Sequence, residues 1–133
     1  MNDLATIDLS QNRMLQRLDL SDNRLSSLDL SANTELVSLW CFNNQLTNIC
    51  VTANSALEFL DCSGNQLTVL DISTNTQLAR LMAYNNRLQS LDISQNPLLN
   101  RLWVFGNQLS DTATEHIGST FGRITGGELW LYP

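Results

Sequence analysis

LEFLDCSGNQLTVLDISTNTQ, residues 57–77, decides the fold, because the chain repeats it with drift on both sides. LVSLWCFNNQLTNICVTANSA (36–56) precedes it and LARLMAYNNRLQSLDISQNPL (78–98) follows. Leu18, Leu39, Leu60, Leu81 and Leu102 are thus spaced by 21 residues, and most apolar residues fall into register with them. The shared skeleton is L-x-x-L-x-h-x-x-N-x-L-x-x-L-D-h-S-x-N-x-x, where h is apolar. Its two halves resemble each other, so anchor leucines step by ten and then eleven, as from Leu18 to Leu28 to Leu39. Self-similarity at such a period means a stack of near-identical coils, each touching only its neighbours.

The alternation in Leu18-Asp19-Leu20 turns two apolar side chains inward and the residue between them outward, which is a short strand. Equivalent strands should pair in parallel at about 4.8 Å. One coil supplies roughly six inward apolar residues worth ~2 kcal/mol each on full burial. Ordering its backbone costs more, at ~1–2 kcal/mol per residue. A lone coil is therefore expected to be unfolded, and the stack to be the stable unit. Asparagine recurs in both halves: at 2, 23, 44, 65, 86 and 107, then at 12, 33, 54, 75 and 96. An amide both donates and accepts, so these columns are expected to satisfy backbone groups where each coil turns.

From about Met1 to Leu109 the pattern resembles leucine-rich repeat proteins, specifically the bacterial class with nested half-repeats called IRREKO. Cys50-Val51-Thr52 replaces the usual Asp-apolar-Ser without disturbing the period. The resemblance implies a β-rich α/β solenoid: a right-handed superhelix with about six parallel strands and one C-terminal helix. A single domain over residues 1–133 is expected, with 1–14 a partial repeat, 15–98 four 21-residue repeats and 99–133 a longer terminal repeat. After Asn107 the period fails. Thr112-x-x-Glu115 reads as a capping box, Ala113, Ile117 and Phe121 share a helical face, and Gly122 reads as a stop. A helix over about 113–121 and a strand over about 128–132 follow, and this coil resembles the ribonuclease-inhibitor type. At the other end, Asn2, Leu4, Ile7, Leu9 and Asn12 fit the later part of a repeat. Such an uncapped end is expected to continue into further chain or to pack against another molecule, including by self-association.

The net charge of −6 argues against nucleic acid or an anionic membrane as partner, since phosphates need clustered cations. Every basic residue is arginine, the better type for planar contacts with carboxylates and rings. No apolar run is long enough to span a bilayer, and the first thirty residues lack the pattern of a signal peptide. A cytoplasmic location is expected, or a secreted or cell-surface one if an export signal lies outside this sequence. Cys41 and Cys62 hold a repeat position filled elsewhere by Leu20, Ala83 and Val104, so they act most simply as small core residues. His116 is the only histidine, and no motif pairs it with a nucleophile. No phosphate loop, CxxC or HExxH is present. The expectation is a non-enzymatic protein without cofactor or metal.

The outward strand positions carry the strongest bias. Between the two core residues stand Asp19, Trp40, Asp61, Met82, Trp103 and Trp130. The next outward row holds Ser21, Phe42, Ser63, Tyr84, Phe105 and Tyr132, and the preceding one Arg17, Ser38, Phe59, Arg80, Arg101 and Glu128. Eight of the nine aromatics lie in these rows; Phe121 is the exception. Contiguous exposed apolar patches mark interaction sites, and Trp, Tyr and Arg are enriched in binding hot spots. Arg80 and Arg101 should stand beside Met82, Tyr84 and Trp103 within cation–π reach. The expected role is to bind another protein. The alternatives are rings that merely brace neighbouring strands, a structural segment of a longer bacterial surface or secreted protein, and a carbohydrate ligand stacked on the rings. In the second half, Asp8, Asp29, Asp71 and Asp92 with Ser10, Ser31, Ser73 and Ser94 read as turn-forming pairs rather than a calcium site.

Overall fold

A computed structural model describes residues 2–123 and 126–132. Six strands of three residues each form one sheet: β1 (Arg17–Asp19), β2 (Ser38–Trp40), β3 (Phe59–Asp61), β4 (Arg80–Met82), β5 (Arg101–Trp103) and β6 (Glu128–Trp130). They pair in chain order, all parallel. Leu18 pairs with Leu39, Leu39 with Leu60, Leu60 with Leu81 and Leu81 with Leu102, so each coil returns after 21 residues. The last coil is longer, pairing Leu102 with Leu129. Beyond the strands the ladder continues, as in Leu20 N–H to Trp40 O at 2.8 Å and Cys41 N–H to Asp61 O at 2.8 Å.

The core is one cluster of stacked apolar columns: Leu39, Leu60, Leu81 and Leu102 form one, Leu36, Leu57, Leu78 and Leu99 another, and Leu25, Leu46, Leu67 and Leu88 a third, all fully buried. Asparagines stitch its edge in two ways. In the first half, Asn44 accepts from Leu25 N–H at 2.9 Å and donates to Leu20 O and Cys41 O. Asn65 and Asn86 repeat this in the next coils. In the second half, Asn33, Asn54, Asn75 and Asn96 each donate to two carbonyls of the preceding coil, while their Oδ1 atoms have no donor among the described residues. Asn2 and Asn12, at the end of the stack, are exposed.

After each of the first five strands one residue takes positive φ: Asp22, Asn43, Gly64, Asn85 and Gly106. Only Asp, Asn and Gly tolerate that region readily, so the composition of this column follows from the turn it makes.

The helix, α1 (Asp111–Phe121), starts two residues before the expected position. Its N-cap is Ser110, which accepts from Ala113 N–H at 3.2 Å, and not Thr112. Ser110 has the extended backbone a cap needs, and Asp111 adds negative charge to the first turn. Ile117 and Phe121 are buried and Ala113 partly so. Gly122 caps the end with φ −61°, so it is not a left-handed stop; a side chain there would crowd Gly118 O. Gly127 lets the chain return past the Phe121 ring, which a Cβ would strike. The final strand covers only Glu128–Trp130, leaving Leu131 and Tyr132 beyond it. Among the described residues no helix is long and apolar enough to cross a membrane.

Cys41 and Cys62 are fully buried free thiols, and burial pushes both well above the usual thiol range. Cys50 is exposed, and its hydrogen bond with Thr52 lowers its pKa. Thiolate is the reactive form. Native protein should therefore react with a thiol reagent at one cysteine of the three, and all three should react only after unfolding. Three fast-reacting thiols in native protein would contradict the buried column.

Candidate binding face

The sheet register places Asp19, Trp40, Asp61, Met82, Trp103 and Trp130 side by side. These residues and their outward neighbours stand above the leucine layer, but the rings form two groups. Trp40 packs on Phe59 with centroids 4.9 Å apart. Farther along, Tyr84 stacks on Phe105 (4.8 Å, interplanar 10°), and Trp103 leans between Tyr84 (6.5 Å) and Trp130 (6.1 Å). Tyr84, Trp103, Phe105 and Trp130 line a concavity of about 250 Å³. Most of these rings, with Phe42 and Met82, are half-buried against their neighbours, while Trp130 is 46% exposed. The Trp103 Nε1 donor is itself buried and has no acceptor among the described residues.

Between the groups lie Asp61 and Ser63, which the alternation pattern places outward but which are only 7% and 1% exposed. Both are short, and the flanking strands overhang them: Trp40 and Met82 beside Asp61, Phe42 and Tyr84 beside Ser63. Ser63 donates to Asp61 Oδ1 from both its amide and its hydroxyl. Asp19 and Ser21 make the same local bonds on β1. There the Ser21 bonds hold the Asp19 carboxyl below its ordinary range, whereas burial raises that of Asp61 despite its bonds. Lateral neighbours, not local sequence, reverse the sign.

Two further expectations need correction. Arg80 and Arg101 are exposed, and no cation–π pair forms among the described residues. Arg101 instead reaches Glu128 (Nε–Oε2 3.6 Å), and Glu128 also accepts from Trp130 Nε1 at 2.8 Å. The long last coil supplies Glu128, and an ion pair satisfies the guanidinium better than a ring face does. Tyr132 is 71% exposed and stands apart, lining a separate recess with Leu109, Asp111 and Leu131.

The second-half column behaves as turn chemistry. The amides of Ser10, Ser31, Ser73 and Ser94 donate to Asp8, Asp29, Asp71 and Asp92 at 2.8–3.0 Å, and the serine bonds lower all four carboxyl pKa values. Lowered groups favour the fold above the unfolded carboxylate pKa and lose that contribution as pH falls. Asp61, being raised, favours it below that pKa and loses its contribution as pH rises. No three of His, Cys, Asp and Glu converge to hold a metal among the described residues. His116 lies 4.0 Å from Asp92 on the rim of α1.

The sequence profile described as "Leucine Rich repeats (2 copies)" matches residues 13–53, and that described as "Leucine Rich Repeat" matches 56–78. The chain is built of leucine-rich repeats. Its leucine-rich repeat stack is similar to the functional domain of InlJ from Listeria monocytogenes, described as including a cysteine ladder. That likeness covers 83% of this chain and 29% of the other at 36% identity, with a TM-score of 0.69. It is similar too to a leucine-rich repeat protein of Leptospira interrogans (27% identity, 92% and 34% coverage, TM-score 0.86). An internalin, InlF, of L. monocytogenes matches at 25% identity (83% and 33% coverage, TM-score 0.75). The leucine-rich repeat chain thus spans about a third of the length of these structures. No curated protein matches it.

Proposed function

We propose that this leucine-rich repeat chain is a non-catalytic protein-binding module whose partner docks across the outward face of β2–β6. The observation that carries this reading is the concavity walled by Tyr84, Trp103, Phe105 and Trp130. Aromatic walls supply large contact area at low entropic cost. Phe42, Phe59, Met82, Arg80 and Arg101 extend this face, Trp40 closes its far side, and Tyr132 flanks it. We also read the coils as nested ten-plus-eleven repeats, because both halves turn on an asparagine whose side chain bonds the preceding coil. The last coil, with its helix, is read as the ribonuclease-inhibitor type.

The test is a random-peptide display selection on the folded chain, followed by affinity measurements on a variant with Trp40, Tyr84 and Trp103 changed to Ala. Selected binders should lose at least about tenfold in affinity (about 1.4 kcal/mol) while the variant stays folded by circular dichroism. Unchanged affinity would overturn the site assignment. A variant that no longer unfolds cooperatively would show instead that the rings brace the strands.

A further inference from the structure

We propose that Asp61 is the docking point for a cationic side chain, arginine or lysine, of a partner protein. The inference rests on the protein-binding reading and names what the centre of that face selects. Asp61 sits on β3 in mid-sheet, between the Trp40–Phe59 pair and the Tyr84–Trp103 group. One carboxylate oxygen takes both Ser63 bonds; the other has neither hydrogen bond nor counter-ion among the described residues. Arg80, one strand over, lines up with Phe59 rather than Asp61 and forms no ion pair among the described residues.

A carboxylate so buried without a cation works against the fold, since desolvation is not offset by a charge partner. Asparagine, nearly isosteric, could still accept both Ser63 bonds, so the local turn does not require the charge. A partner's guanidinium or ammonium would supply the missing charge. Its flanks would meet the π faces of Trp40 and Phe59 and the soft thioether of Met82. The net charge of −6 draws such a partner from a distance. Asp19, exposed at the sheet edge with the same local bonds, has no comparable claim on a cation.

The test uses the peptides selected by display on the unaltered chain. Binders should contain an Arg or Lys whose change to Gln weakens binding at least about tenfold, and Asp61→Asn should weaken the original binders equally. The two losses should be non-additive in a double-mutant cycle. Asp29→Asn, on the opposite column, should leave affinity within about twofold. Asp61→Asn should also raise the thermal midpoint at pH 7 and lose that advantage near pH 3, where the carboxyl is protonated in both folded and unfolded chains. Binders that tolerate Asp61→Asn but not Trp103→Ala would overturn this inference and leave the face reading standing. Binders that tolerate both would overturn both. A thermal midpoint lowered at pH 7 would make Asp61 a structural residue and end the proposal.

Discussion

Leu60→Ala is expected to lower the unfolding free energy by ~2–5 kcal/mol, the range for removing a fully buried leucine from a core that relaxes only partly. Leu60 is 0% exposed and lies on β3 between Leu39 and Leu81. In a globular core a gap can be filled from several directions. Here each coil meets only the one before and the one after, so the strand ladder limits collapse to two neighbours. The gap also falls mid-stack and weakens two coil interfaces at once. Urea unfolding followed by circular dichroism should show a lower midpoint and a broader transition, as the segments on either side begin to melt separately. Leu98→Ala serves as the contrast: Leu98 is 50% exposed, and its loss should change stability by no more than about 0.5 kcal/mol. Equal effects from the two variants would contradict the stacked core.

The second large effect is expected at Asn65. Its Oδ1 accepts from Leu46 N–H at 3.0 Å, and its Nδ2 donates to Cys41 O and Cys62 O at 3.0 Å each. Asn65→Ala leaves the buried Leu46 N–H without an acceptor, which costs ~1–3 kcal/mol, while Cys41 O keeps Asn44 and Cys62 O keeps Asn86. A net loss of ~1–3 kcal/mol is expected. Asn75→Ala should cost about 1 kcal/mol less, although Asn75 is equally buried and also donates to two carbonyls. Its Oδ1 is already without a donor among the described residues, so the substitution removes an unsatisfied atom along with the bonds. The same urea series distinguishes them. A larger loss at Asn75 than at Asn65 would mean that the two asparagine columns are not bonded as described.

These contrasts show what the sequence could and could not reveal. The leucine column and the coil length were legible because burial repeats with the chain's own period, and that period needs no tertiary knowledge. The asparagine columns were legible as positions, but the division between a fully bonded column and a donor-only one depends on which way each coil turns. The positive-φ column was open to the same alignment: Asp22, Asn43, Gly64, Asn85 and Gly106 share nothing except tolerance of that backbone region. Asp61 and Ser63 were not legible. Their burial comes from Trp40, Phe42, Met82 and Tyr84, each 21 residues away along the chain, whereas alternation assigns only a direction. The helix start was missed for a local reason, since Ser110 and Thr112 both offer hydroxyls and only backbone conformation at Ser110 decides between them. The Arg101–Glu128 pair was legible, since the alignment puts both in one outward row, but the choice of the carboxylate over the neighbouring rings was not.

The binding face itself rests on rings half-covered by one another, a state that fits both bracing and recognition. The indole N–H resonances of Trp40, Trp103 and Trp130 separate the two most directly, read by two-dimensional NMR as a display-selected peptide is added. The Trp103 signal should shift most, because its ring walls the concavity, while the Trp130 donor stays on Glu128 and the amides of Ser31 and Ser73 do not move. Unmoved indole signals with shifts confined to the Asp29–Asp71 column would place recognition on the other side of the coils and contradict the binding-face reading.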